Sequence, residues 1–144
     1  MTVATCDREK LARAAATLIG TPFRLFGRDP KRGLDCIGLL HVSLEIIGRT
    51  PRLPMGYKLR NSKPEQWFVF ASYSGFHSVS DQPLPGDILL TAPSPGQQHL
   101  ELVETFEMVI HAHAGLGRVV RQRLHTERPA LAHWRLSQTP KRSA

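Results

Sequence analysis

Three side chains in this sequence have the types and the spacing for nucleophilic chemistry: Cys36, His99 and His111. Cys36 falls in the first turn of an expected helix, directly after a loop containing glycine, proline and basic residues. Unpaired N–H groups and the helix dipole at that end stabilise a thiolate, the nucleophilic form. The same cysteine also fits a plain buried position, because cysteine packs as a small hydrophobe. His99 opens an expected strand after the loop 94–98. From a strand mouth a histidine can reach a cysteine on a neighbouring helix end, take the thiol proton and return it to the leaving group. His111 ends the next strand, and a hairpin turning near 105–107 would bring it close to His99 across the pair. A hydrogen bond between the two imidazoles would then orient the base. His113 lies on the same strand face and competes with His111 for that role. His99, His111 and His113 would also supply three imidazoles to a metal. No carboxylate or cysteine at the usual ligand spacing accompanies them, so neither a metal nor another cofactor is expected.

The elements that must position these residues can be read from periodicity and caps. Leu11, Ala14, Ala15, Leu18 and Ile19 form a helical stripe over 7–19, ended by Gly20 and Pro22. A second helix spans 35–47, with Asp35 as N-cap, Ile37, Leu40, Leu44 and Ile47 on one face, and Gly48 at the C-terminal cap. The connector 49–63 is proline-rich, and Ser62, Pro64 and Glu65 have the spacing of a capped start for a short third helix through Phe70. The second half changes character. Short apolar runs at 88–90, 99–104, 108–111, 118–122 and 131–136 alternate with turn residues. Helices first and strands afterwards indicate an α+β fold with a largely antiparallel sheet.

A chain of 144 residues matches one domain of roughly 100–200 residues, here 1–144 with its core at about 7–137. Lys and Arg total 19 against 12 Asp and Glu, a formal charge of +7. That field favours anionic partners in general, but the charges are scattered apart from 118–123 and the Lys141–Arg142 end. No aromatic and basic interleaving points to nucleic acid, which is not expected as a partner. Cys6 and Cys36 are too few for a disulfide framework. The opening residues lack an apolar core of the secretory kind, and no apolar run is long enough for a membrane span. Synthesis in the cytoplasm without a signal peptide is therefore expected.

Several motifs, taken in order over roughly 10–125, resemble the NlpC-type family of papain-like cell-wall cysteine peptidases. Gly20-Thr-Pro-Phe-Arg-Leu-Phe-Gly27 and Gly33-Leu-Asp-Cys-Ile-Gly-Leu-Leu40 are similar to its Gly-x-Pro-aromatic segment and Asp-Cys-small-Gly helix start. Pro85-Gly-Asp-Ile-Leu-Leu90, His99-Leu-Glu-Leu-Val103 and Ile110-His-Ala112 are similar to its three following strands. The resemblance implies a papain-like α+β fold, N-terminal helices packed on the sheet, and a Cys36–His99–His111 triad without metal. It implies hydrolysis of amide bonds in peptidoglycan stem peptides, usually between γ-D-glutamate and a diamino acid such as diaminopimelate. The Gly-Thr-Pro-Phe-Arg opening looks most like phage-tail and gene-transfer-agent peptidases. That likeness implies tail or baseplate proteins as partners and action in the periplasm or cell wall from an assembled particle.

The departures from the family concern substrate. Phe23 stands where tyrosine is frequent, removing a hydroxyl from the site. Ile37 replaces the frequent serine after the nucleophile, which contacts the substrate's amino end. Asp35 is retained and can either pair with that amine or serve as a plain N-cap. Glu101 replaces a very small residue on the His99 side of the strand, where it narrows the cleft or changes its charge. Phe23, Asp35 and Glu101 are thus the expected substrate-binding residues. These departures also fit a catalytically weak or inactive structural tail component of the same fold. His41, His77, His125 and His133 read as surface or packing residues, and Trp67 and Trp134 as core or groove wall.

Overall fold

The computed structural model describes residues 6–52, 65–94, 97–124 and 130–138. In chain order they form α1 (Asp7–Ala16), β1 (Arg28–Asp29), β2 (Gly33–Leu34), α2 (Cys36–Ile46), α3 (Glu65–Tyr73), β3 (Phe76–Ser78), β4 (Ile88–Ser94), β5 (Gln97–Val103), β6 (Met108–His113), β7 (Arg118–Arg123) and β8 (Ala132–Leu136). The larger sheet has six strands in the order β3-β8-β4-β5-β6-β7. Every neighbouring pair is antiparallel. This is the expected α+β architecture.

Helix α1 stops at Ala16, short of Ile19. Beyond it the Leu18 N–H donates to Ala15 and the Ile19 N–H to Ala16, at 3.0 and 3.3 Å. These bonds tighten the end into i to i+3 turns. Leu11, Ala12, Ala14 and Ala15 are buried as the stripe requires. Helix α2 begins as read. The Gly38 N–H donates to Asp35 Oδ1 at 2.8 Å, and Ile47 forms the C-terminal cap before Gly48 at φ +83°. The motif glycine at 38 has a packing cause, because a Cβ there would collide with the carbonyl oxygen of Gly27. Helix α3 runs on past Phe70 to Tyr73; its capping residues Ser62 and Pro64 lie outside the described residues.

Two features go beyond the expected elements. The loop before Cys36 contains the small antiparallel pair β1–β2, and β3 adds an edge to the large sheet through β8. Strands β4 and β6 are also longer than their apolar runs, reaching Ser94 and His113.

The helices cover one face of the sheet. Ile88 and Leu90 of β4, Leu100 and Leu102 of β5, and Ile110 and Ala112 of β6 join α1 and α2 residues in the main core. Alternation along the strands then sends His99, Glu101, His111 and His113 to the opposite face, where Leu89, Val103 and Val109 make a smaller cluster. Gly86 and Asp87 lock the start of β4. Gly86 has φ +92°, and a Cβ on it would strike the Arg8 carbonyl, so α1 comes down directly onto this turn. Asp87 is completely buried and gathers Leu84, His133 and Arg135 around its carboxylate.

Candidate active site

The site lies where the ladder between β5 and β6 opens. Among the described residues these strands pair at Leu102 with Ile110 and Val103 with Val109. The turn is closed by the Glu104 and Met108 backbones, with the Glu104 N–H donating to Met108 at 2.9 Å. Toward Gln97 and His113 no register pairs are formed, and the N-terminus of α2 stands against this gap. His99 therefore sits inside β5, at the point where pairing has ended, and His111 sits before the end of β6. Continuing the register would place His99 opposite His113. The ring hydrogen bond runs diagonally instead: His99 Nε2 is 2.7 Å from His111 Nδ1. The two rings are nearly perpendicular, at 75°. His113 turns to its own loop, where its Nδ1 accepts from the Leu116 N–H at 3.0 Å.

Cys36, His99 and His111 line one cleft of about 220 Å³, together with Phe23, Gln98 and His113. A second hollow of about 430 Å³ is also lined by His99 and His111, with Glu101, Leu89, Gln122 and His133 on its walls. The histidines are the wall that both share. Trp67, buried in α3, donates from Nε1 to Gln98 Oε1 and so braces the residue next to His99.

Cys36 is 2% exposed. Burial pushes its thiol up from 9.0 to about 12; the nearby Asp35 charge adds to this, while the N–H groups of Leu100, Ile37 and Cys36 itself oppose it. The thiolate expected from a helix N-terminus is thus not the resting form, because desolvation exceeds what those N–H groups return. His99 is displaced in the complementary direction. Burial, then the charges His111 and His113 would carry, lower it from 6.5 to about 3. Both shifts favour the neutral form, a thiol at Cys36 and an imidazole at His99.

These shifts carry signs that stability measurements can check. Cys36 has its folded value raised, so the stability it contributes is present below pH 9.0 and is lost as pH rises toward 12. His99 has its folded value depressed, so its contribution is present above pH 6.5 and is lost as pH falls toward 3. Denaturant unfolding across pH should show Cys36→Ala flattening the alkaline limb and His99→Leu flattening the acid limb.

The expected substrate residues separate into two groups. Phe23 lines the cleft with Cys36, and Glu101 lines the larger hollow beside His99. Asp35 is completely buried. Its Oδ2 accepts from the Phe26 N–H at 2.8 Å, its Oδ1 accepts from Gly38, and Arg28 lies 3.5 Å away. A direct contact between Asp35 and substrate finds no support in this geometry; the carboxylate caps α2 and fastens the preceding loop. Ile37 is likewise completely buried in the core. Among the other histidines, His41 pairs with Glu45, His77 with Ser137 and His133 with Asp87, while His125 lies outside the described residues. Among the described residues, no group of three or more His, Cys, Asp or Glu is arranged to hold a metal. No described helix is long and apolar enough to cross a membrane.

One polar partner was not legible from motifs. Gln122 Oε1 lies 2.6 Å from His111 Nε2. Residues 118, 120 and 122 share the His111 face of the sheet through the β6–β7 register, and that alternation is the signal in the sequence.

No protein-family model and no curated protein matches the sequence. Solved structures do. The NlpC/p60 domain of peptidoglycan hydrolase SagA aligns with 91% of this chain and 98% of its own, at 26% identity and a TM-score of 0.59. The chain has the fold of NlpC/p60 domains. NlpC2 and NlpC1 from Trichomonas vaginalis each align over 97% of it, with TM-scores of 0.71 and 0.69 and identities of 18% and 19%. The chain spans only about half the length of those two proteins, 49% and 47%. Its three helices and six-stranded antiparallel sheet are the papain-like α+β arrangement the motifs imply.

Proposed function

We propose that this domain is a cysteine endopeptidase that hydrolyses amide bonds in peptidoglycan stem peptides, the favoured bond joining γ-D-glutamate to a diamino acid. The observation that carries the reading is the shared cleft of Cys36, His99 and His111 with the 2.7 Å bond between the two imidazoles. The NlpC/p60 fold supports a cell-wall peptidase. The phage-tail or gene-transfer-agent setting, with tail or baseplate partners and action in the cell wall, rests on the likeness of the compact chain and its 20–24 segment to such peptidases.

The chemistry balances within these groups. The Cys36 thiol gives its proton to His99 as sulfur attacks the scissile carbonyl carbon, forming a C–S bond. Gly38 and Leu39 N–H groups are taken by Asp35, whereas the Cys36 and Ile37 N–H groups face the thiol and are placed to turn to the oxyanion once sulfur has bonded to carbon. His99 returns the proton to nitrogen as the C–N bond breaks. Water, deprotonated by His99, then cleaves the thioester and restores the thiol. His111 holds the His99 ring throughout. Glu101 stands on the wall of the larger hollow beside His99.

A defined stem peptide, L-alanyl-γ-D-glutamyl-diaminopimelate, tests the bond. Release of free diaminopimelate supports the reading; cleavage only at another amide moves the specificity, and an intact peptide beside cleaved whole peptidoglycan indicates that a longer substrate is required. Deep burial of Cys36 favours one rival, a structural tail component without efficient catalysis. That rival expects no cleavage of either substrate.

A further inference from the structure

We infer that Gln122 is a positioning residue that sets which nitrogen of His99 carries the proton, acting through His111. This rests on the reading of Cys36 as nucleophile and His99 as base. A neutral imidazole has one N–H and one bare nitrogen, and its tautomer is set by what each nitrogen faces. The Gln122 carbonyl oxygen can only accept, so at 2.6 Å the His111 Nε2 must donate to it. Neutral His111 is then bare at Nδ1. That nitrogen lies 2.7 Å from His99 Nε2, so His99 donates there with its single N–H. The remaining nitrogen of His99, Nδ1, keeps its lone pair for the Cys36 proton.

The chain of dependence also runs backward. Without an acceptor at 122, His111 can place its proton on Nδ1 and donate to His99 Nε2. The His99 proton then moves to Nδ1, and the base is lost although every side chain of the triad remains. Three strands cooperate here: β7 fixes the tautomer of a residue on β6, which fixes that of a residue on β5. His113 Nδ1 accepts from the Leu116 N–H.

The experiment is nitrogen NMR of the full chain labelled at histidine, in the wild type, Gln122→Leu and Gln122→Glu at about pH 8, where free imidazole is neutral. Wild type should carry the proton on Nε2 of both His99 and His111. Gln122→Glu keeps an acceptor and should keep both tautomers, whereas Gln122→Leu should shift His99 protons to Nδ1. In hydrolysis, Leu should lower kcat about 10²-fold with KM nearly unchanged and Glu no more than about threefold, against ~10⁴ when a triad orienter itself is altered. A merely structural glutamine would give the opposite order, because a charged side chain disturbs a half-buried site more than leucine does. Wild-type His99 protonated on Nδ1, unchanged tautomers in Gln122→Leu, or Glu more damaging than Leu would each overturn the inference. The NMR requires no substrate, so its outcome is independent of peptidase activity, which Cys36→Ala decides.

Discussion

Replacing His99 with leucine is expected to lower kcat for stem-peptide hydrolysis by about 10³-fold, within the range of roughly 10²–10⁴ that a positioned acid–base group supplies. The loss should be large because the proposed proton transfer to and from Cys36 runs through this imidazole. The thiol of Cys36 is pushed up to about 12, so without a base very little of it is ionised near neutrality. Attack on an amide needs that proton removed, and departure of the amine needs it returned. His113 shares the cleft but is held in its own turn through Nδ1. KM should change little, since imidazole acts on the proton in flight and not on the bound peptide. Steady-state kinetics on a defined stem peptide, with circular dichroism to verify the fold, would measure this. A fall of only a few fold would remove His99 from the role of base. The depressed value of His99, about 3, further places the acid limb of kcat/KM well below pH 6.5 in the wild type.

Asp87→Ala should cost about 3–5 kcal/mol of folding stability, the range for breaking a buried charged network from one side. The carboxylate is completely buried. It accepts from Arg135 at 3.0 and 2.9 Å, lies 2.6 Å from His133 Nε2, and accepts the Leu84 N–H at 2.9 Å. Asp87 first, then Asp81, hold the Arg135 guanidinium above its ordinary value. Removing Asp87 leaves Arg135 to Asp81 at the surface and strips the His133 ring and the Leu84 amide of their acceptor. The β4–β8 pairing depends on the same group, because His133 and Arg135 come from β8. Asn retains the shape and one acceptor oxygen, so it should lose less than Ala. Urea unfolding of the three proteins measures the difference, and a change below about 1 kcal/mol for Ala would mean the network contributes little net.

How much of this the sequence reveals depends on the range of the interaction involved. Helices α1 and α2 are legible because stripe, cap and glycine all agree locally. The hairpin that brings His99 to His111 is legible from two apolar runs and a short turn. The pairs β1–β2 and β3–β8 are not, because two- and three-residue strands leave no alternation to read. Gly86 and Asp87 are visible as a motif, but their reasons come from far along the chain: the Arg8 carbonyl at one end, and His133 and Arg135 at the other. The ionisation of Cys36 is hidden for the same cause. A helix N-terminus is local and favours the thiolate, whereas the desolvation that overrides it comes from packing α2 against the sheet. Asp35 illustrates the ambiguity from the other side. Its type suits both an amine and a cap, and only its burial beside Phe26 and Gly38 favours the cap. Gln122 is hidden because a glutamine amid the charged residues of β7 reads as solvent-facing until the β6–β7 register is known.

The measurement that bears most directly on the nucleophile is digestion of purified diaminopimelate-type peptidoglycan by wild type and Cys36→Ala side by side, with mass analysis of what is released. Soluble fragments from the wild type alone, with masses that mark a cut amide in the stem peptide, are the expected result. Equal release by both proteins, or none by either while Cys36 also resists thiol alkylation at neutral pH, would contradict a cysteine peptidase built on Cys36.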